Sequence, residues 1–572
     1  MNISDSPTSR EAHPTLHWRV KSGAPRDYVE ASGQSRLVAQ LLYNRGIALT
    51  DIPSFIDPDL VHSHSVFDLP DAEKAVRRIN QALMRHETIG IFGDFDVDGV
   101  TSTAVISEAL TWLGAKTVTH IPNRFTQGHG LHASGVEKLK EQGATLVITC
   151  DCGISDLPEA DKAAAMGVDL IVTDHHVPLA RLPRAVAVFN AKRRDSAYPF
   201  TEFAGVGIAF KLMQAVYQGR NDESRLDELL ELVALGTVAD MVALVGENRV
   251  MVQRGLRVIS RTTRPGLQAL IQISGLAPGN ITSGDISWAL GPRINSSGRI
   301  DDADMSLRLL VTTDRAEGER LAAELNEINS QRQQLTTEVY DKVSERLLSQ
   351  VDRLLLFDAD PTYNEGVIGL VAGKVSKEFY RPAIVVTSGE DLCRGSSRSI
   401  PEFDLAAALE RCGDLLVSFG GHPLAAGFAV LPPNLPLLEE RLVAHAQECL
   451  AGLDLHPRLV IDAELKLKDL GGESFKDMRA LEPFGQQNPE PAFLTRGVEV
   501  VECRSFRNHE KWSSLRLRQE GVVFEAVDFR TQRGPDDIPR LIDLVYNLRL
   551  RRWGGEDTLQ AHVLDLAPSV ID

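Results

Sequence analysis

Three carboxylates stand at alternate positions in Gly93-Asp94-Phe95-Asp96-Val97-Asp98-Gly99, directly after the apolar run HETIGIFG (86–93). Two more apolar runs end in the same kind of residue. TLVITC (145–150) opens onto Asp151, and VDLIVT (168–173) opens onto Asp174-His175-His176. Farther along, LGTVADMV (235–242) places Asp240 after an apolar, helix-like run. Any one of these residues also reads as a helix N-cap or a solvated turn. Together, at consecutive segment ends, they read as one site. Anions crowded in this way repel each other strongly unless cations lie between them. Mixed carboxylate and imidazole donors suit Mn²⁺ best, with Mg²⁺ as a substitute.

The elements between these residues must bring them together. From 86 to 191, short β-rich apolar runs alternate with amphipathic stretches, which predicts a parallel sheet with helices on both faces. In such sheets ligands bind beyond the carboxyl ends of the strands, where the Asp and His residues fall. A helical layer is expected over 202–310. The stretch 317–350 has neither Pro nor Gly beyond Gly318 and predicts a polar helix of roughly 50 Å, long enough to span between domains. A second, smaller α/β block follows to about 456, with CRGSSRS (393–399) read as a turn and FGGHPLAAGF (419–428) as a loop. Beyond Pro457 the period becomes two, as in a small β-barrel.

The 572 residues exceed what one core supports, so about three or four domains are expected. The hydrophobic fraction of 43% and the absence of a membrane-length apolar run or a signal-like start predict a soluble, cytoplasmic protein. Six dispersed cysteines without CxxC spacing fit a reducing compartment. The formal net charge of −18 argues against nucleic acid as a partner unless the carboxylates bind metal and basic residues cluster locally. His120, His129 and His132 could mimic a further metal cluster, but the acidic ligands already suffice.

The ordered motifs resemble those of the DHH phosphoesterases. DFDVDG resembles the first motif, CDCG the second and TDHH the signature that names the family, while VADMV resembles the downstream acidic motif. GPRINSSGR (291–299), SFGGHPLAAG (418–427) and EPFGQQNPEPAF (482–493) are similar to segments of the single-strand exonuclease branch, whose members add a DHHA1 domain and an oligonucleotide-binding barrel. The resemblance implies an N-terminal extension (1–60), a catalytic domain (61–312), a connecting helix (313–350), a DHHA1 domain (351–456) and an OB-type barrel (457–572).

The resemblance also implies two-metal hydrolysis of phosphodiesters. Its ligands would be Asp96, Asp98, Asp151, His175 and Asp240, with Asp151 bridging and Asp94 as a further ligand or neighbour. Asp174 would orient a neighbour, and His176 would touch the scissile phosphate as a general acid. Arg124, Arg293, Asn295 and Arg299 are candidate phosphate contacts, with Arg293 placed in the catalytic set. Ser396 and Arg398 resemble the pocket that holds a 5′ phosphate, which implies 5′→3′ polarity. His422 lies where backbone can approach a ligand closely. His129 stands where relatives carry Tyr, a smaller platform if that ring stacks on a base. In the barrel, Lys511, Trp512, Arg516, Arg518 and Arg552 interleave charge and aromatic rings as single-strand binders do.

The expected activity is therefore 5′→3′ exonucleolysis of single-stranded DNA to 5′ mononucleotides in recombination and repair. A single-strand-binding protein and a RecQ-type helicase are the partners implied, and a monomer is expected. Smaller DHH enzymes that cleave short oligonucleotides or cyclic dinucleotides are the alternative, but they resemble only the first two blocks. A catalytically inactive scaffold is disfavoured because every ligand position is filled.

Overall fold

The computed structural model describes residues 16–569 except 62–63, 125, 301–302, 351, 472, 507–508, 532 and 554–555. The chain divides into two compact units. One comprises Val20–Asn329 and the chain from Ile461 onward, and the other is built on Ser330–Val460.

In the first unit, β1 (Thr88–Gly93), β2 (Lys116–His120), β3 (Ala144–Cys150), β4 (Asp169–Thr173) and β5 (Ala187–Phe189) form a parallel sheet in the order β2-β1-β3-β4-β5. Strands β1, β3 and β4 are covered on both faces, which is why they read as continuous apolar runs. The register decides the site. Gly93 pairs beside Cys150, and Cys150 beside Thr173. The next residues of the three strands, Asp94, Asp151 and Asp174, therefore leave the sheet side by side. Helix α1 (Val97–Trp112) starts immediately after β1, and α2 (Gly205–Tyr217) and α3 (Leu230–Ala239) pack on it. Helix α4 (Gly291–Ile300) carries the GPRINSSGR segment.

Helix α5 (Arg315–Leu347) is continuous, as its composition predicts. Its first half belongs to the first unit and its second half to the second.

The second unit holds β6 (Leu356–Asp360), helix α6 (Ile368–Phe379), β7 (Ala383–Thr387), β8 (Cys393–Arg398), β9 (Leu416–His422) and β10 (Ala425–Val430). The sheet order is β9-β10-β8-β7-β6, parallel only between β6 and β7. Two sequence expectations are corrected here. The CRGSSRS turn is the central strand β8, and the FGGHPLAAGF loop is a hairpin of β9 and β10. Gly, Ser and Ala have low strand propensity, but the fold needs them small. A Cβ on Gly395 would lie 2.1 Å from the ring of Phe428, its partner on the neighbouring strand.

The barrel is formed by β11 (Phe493–Phe506), β12 (His509–Gln519), β13 (Val522–Asp528), β14 (Leu541–Trp553) and β15 (Glu556–Pro568), and pairing of β11 with β14 closes it. Val38, Leu41 and Leu42 from helix Arg36–Asn44 are buried in the barrel's core beside Phe493 and Tyr546, so this part of the N-terminal segment is barrel packing. The EPFGQQNPEP segment fastens the barrel to the catalytic block. The Arg249 guanidinium donates to the Pro483 carbonyl, the Gln253 amide to the Glu482 carbonyl, and the Leu244 N–H to the Gln486 carbonyl.

Candidate metal centre

The carboxylates converge because they stand just beyond the buried strands β1, β3 and β4, at the start of α1 and at the end of α3. Asp96 caps α1, its Oδ1 accepting from the Gly99 N–H at 3.0 Å. Asp98, in the first turn of α1, accepts from the backbone N–H groups of Gly205 (2.6 Å) and Val206 (2.8 Å) at the N-terminus of α2. Asp240 follows the last residue of α3. Asp151 has φ 63°, a left-handed conformation unusual for a residue with a Cβ. Such geometry persists where the surroundings over-determine it, and often at working sites.

His175 joins these groups. Its Nδ1 lies 3.0 Å from the Phe203 carbonyl, which can only accept, so Nδ1 carries the proton and Nε2 presents a lone pair. That Nε2 lies 3.1 Å from Asp151 Oδ1 and 3.7 Å from Asp240 Oδ2. Two overlapping donor sets result, Asp151 with His175 and His176, and Asp98 with His175 and Asp240, each with ligand atoms within 4.8 Å of one another. Asp151 Oδ1, His175 Nε2 and Asp240 Oδ2 are buried without a hydrogen-bond partner. Buried polar atoms are almost always paired. Three such orphans, spread over two donor sets that share His175, fit bound cations.

The electrostatics agree. Burial and then the Asp96 charge push the Asp98 carboxyl up to about 7. Asp151 is driven well above the carboxylate range by burial and by Asp98, Asp96 and Asp240, and Asp240 by burial and by Asp98 and Asp96. Burial, then His176, brings His175 down to about 3, which keeps its imidazole neutral for ligation. The protein has assembled anions that it does not itself neutralise.

Asp174 lies outside both donor sets. Its Oδ1 accepts from the His176 backbone N–H (3.0 Å) and from Nδ1 (2.8 Å), and its Oδ2 accepts from the Ile154 N–H (3.0 Å). Burial pushes this carboxyl up, but the His176 bond and charge outweigh burial and hold it below the usual range. The same pairing overcomes burial at His176 and raises its imidazole.

Asp94 also lies outside both donor sets. Its Oδ2 is 2.9 Å from His129 Nδ1, and the His129 ring packs on Phe95 at 4.1 Å between centroids. Arg124 lies over the same Phe95 ring, 5.1 Å from its centroid. Gly298 of α4 abuts the Phe95 carbonyl, so this helix borders the carboxylate loop, and Asn295 and Arg299 lie one turn apart on it. Arg293 turns elsewhere, donating to Asn326 and to the Ala289 carbonyl. In the second unit, Ser396 and Arg398 share one face of β8 and meet the start of α6. A Cβ on Gly369 would lie 2.9 Å from Ser396 Oγ and 3.5 Å from an Arg398 terminal nitrogen. His422 ends β9 in the row that contains Ala425 and Arg398. In the barrel, Trp512 packs on Phe529, Arg516 is exposed, and Arg518 pairs with Glu499. The Lys511 and Arg552 side chains lie outside the described residues.

Sequence reasoning missed the glycines that make room. A Cβ on Gly205 would lie 2.6 Å from the Asp151 Cβ, and one on Gly236 would lie 3.0 Å from Asp98 Oδ1. Glycine inside an apolar helix was the available signal. Gly205→Ala should raise the Mn²⁺ dissociation constant by about tenfold or more, as disturbance around ligands does, read by titration calorimetry. Helix propensity alone would favour Ala by only about 0.5–1 kcal/mol, and a contact of 2.6 Å overrides that.

Comparison with known proteins matches three segments of the chain. Residues 88–237 match the DHH family N-terminal domain, 349–451 the DHHA1 domain and 461–565 the RecJ OB domain. The single-stranded-DNA-specific exonuclease RecJ of Bacillus subtilis (strain 168) is 36% identical over 539 residues, 93% of this chain and 68% of that protein. The Escherichia coli (strain K12) RecJ is 33% identical over 524 residues, covering 87% and 91%. This chain belongs to the RecJ family. Among solved structures, RecJ from Thermus thermophilus in complex with Mn²⁺ superposes with a TM-score of 0.82 at 28% identity, covering 97% of this chain and 80% of that one. The same RecJ has also been solved with Mg²⁺ (TM-score 0.76, 27% identity, 97% and 79% covered). The Thermus thermophilus RecJ thus binds both Mn²⁺ and Mg²⁺. Among the described residues, no helix is long and apolar enough to cross a membrane.

Proposed function

We infer that this chain is a single-strand-specific DNA exonuclease that releases 5′ mononucleotides from a 5′ end and acts in recombination and repair. The observation that carries this reading is the convergence of Asp151, His175 and Asp240 on unpartnered buried donor atoms, within a chain that continues into a DHHA1 domain and a RecJ-type barrel. Two divalent ions, Mn²⁺ in preference to Mg²⁺, would be held by Asp96, Asp98, Asp151, His175 and Asp240, with Asp94 kept in place by His129. When bound, such ions supply a hydroxide at neutral pH and stabilise the charge of an in-line phosphoryl displacement.

The chain's own groups do the rest. Water adds to phosphorus and the P–O3′ bond of the terminal nucleotide breaks. His176, held by Asp174, gives its proton to the departing O3′. Asn295 and Arg299 bind the phosphate's non-bridging oxygens, with Arg124 beside them, and Arg293 braces α4 against Asn326. Ser396, Arg398 and the backbone amides opening α6 bind the terminal 5′ phosphate, with His422 at the rim. The barrel holds the trailing strand through Trp512, Arg516 and Arg518, and by expectation Lys511 and Arg552. The protein works as a monomer in the cytoplasm, supplied with single strands by a helicase of the RecQ type and by single-strand-binding protein.

End-labelled single and double strands, each with a 5′ phosphate or a 5′ hydroxyl, test this with Mn²⁺. Mononucleotides should appear from single strands only, beginning at the 5′ end. Arg398→Ala should cost about tenfold or more in KM on the phosphorylated strand, the scale of a charged hydrogen bond, and little on the hydroxyl strand. Activity on a dinucleotide equal to that on a long strand would sink the reading.

A further inference from the structure

Trp288 is 81% exposed, although Ile286 and Leu290 on either side of it are fully buried. It sits in a five-residue π-helical turn, Ile286–Leu290, directly before α4. Single π turns recur at functional sites because they re-aim one side chain out of a helix. This turn packs on the end of α3: a Cβ on Gly291 would lie 3.7 Å from the Ala239 Cβ. The next residue is Asp240, and after it Met241 is 73% exposed at φ 60°. Trp288 and Met241 are thus both exposed, on two elements that pack together next to Asp240. The other side of the turn leads to the barrel. Ser283 Oγ donates to the Phe484 carbonyl at 2.7 Å, and Asp285 lies within electrostatic reach of Arg549, which also neighbours His562. The His562 ring packs edge-on against Phe529, and Phe529 against Trp512 and Phe506.

We propose that Trp288 is a stacking platform for an unpaired base of the DNA strand, between the metal centre and the aromatic cluster of Phe506, Trp512 and Phe529. The proposal rests on the nuclease reading above. Isolated exposed apolar residues usually need no explanation, but this pair borders the ligand Asp240, so a protein partner covering it would close off the metal centre. The substrate strand is the one occupant that must come there. An indole face accepts any base and so adds affinity without sequence preference. A paired base, with its faces covered within a duplex, cannot use it, and the platform therefore favours single strands.

The test uses full-length wild type, Trp288→Ala and Trp288→Phe with Mn²⁺ and 5′-phosphorylated 15-mers, one intact and the others each carrying one abasic site. Stacking on a base is worth about 5- to 100-fold in affinity. On the intact strand, KM should rise by that factor in Trp288→Ala, with kcat nearly unchanged, and Trp288→Phe should recover most of it. In the wild type one abasic position should reproduce the loss, and at that position Trp288→Ala should lose nothing more. Unchanged cleavage of bis(4-nitrophenyl) phosphate, which has no base, shows that the metal centre is intact in the variants. If the wild type cleaves single strands but Trp288→Ala keeps its KM, or its loss adds to that of every abasic site, the platform is overturned and the nuclease stands. If the wild type does not cleave single strands at all, both readings fall.

Discussion

Asp151→Asn is expected to abolish hydrolysis and, in chelator, to make the protein more stable. The two effects have one cause. Asp151 is buried, its Oδ1 has no hydrogen-bond donor, and burial with Asp98, Asp96 and Asp240 drives its carboxyl well above the usual range. Without metal, this residue adds to a buried repulsion. Asparagine keeps the size and tolerates the left-handed backbone at φ 63°, so the turn after β3 survives. Removing one anion then relieves its neighbours, a gain on the order of 1 kcal/mol for each pK unit of strain removed and so a few degrees in melting temperature. With Mn²⁺ the order reverses. The wild type gains stability from a ligand that binds only the folded state, and the variant gains less. Activity should fall about a thousand-fold or more, the scale of deleting charge stabilisation at a reacting centre. Calorimetric melting in chelator and in Mn²⁺, beside nucleotide release, checks both arms. A variant less stable than wild type in chelator would mean that Asp151 is a structural residue and not a ligand.

The same residues show what a sequence can disclose. Asp94, Asp151 and Asp174 were legible because parallel strands buried on both faces read as unbroken apolar runs, and the first polar residue after each run marks the edge of the sheet. The register, with Gly93, Cys150 and Thr173 in one row, then does what the pattern implied. The reading failed where the decisive contact lies between distant segments. Nothing local in FAGVG says that Gly205 must clear the Asp151 side chain, or that the Phe203 carbonyl selects the His175 tautomer. It failed differently in the second unit. Gly395 and Ser396 looked like a turn because strand propensity measures fit to a surface, and at Gly395 that surface is the ring of Phe428. His129 was noted only as a smaller platform than Tyr, and the contact of its ring nitrogen with Asp94, 35 residues away in the chain, had no local signal.

The Asp174–His176 pair gives a prediction of comparable size with a sharper readout. His176→Ala should lower kcat about 10²- to 10⁴-fold, the range for a general acid. Asp174→Asn should lose about 10- to 100-fold, for a reason written in its bonds. The carboxylate accepts three times, twice through Oδ1 from His176 and once through Oδ2 from Ile154. An amide has one accepting oxygen, so either His176 loses its support or an NH₂ is forced against the Ile154 N–H. The imidazole then no longer keeps its proton or its aim. Because Asp174 acts through His176, the double variant should be no slower than His176→Ala alone, a non-additivity expected of groups that work as one. The decisive substrate is a strand whose scissile linkage carries sulfur in place of the bridging O3′. Water still adds to phosphorus, but the bond that breaks is P–S, and a thiolate departs without needing a proton. On that strand both variants should recover to within about tenfold of wild type. A deficit in His176→Ala as large on the sulfur strand as on the oxygen strand would remove the proton-donor role and leave His176 as a phosphate contact.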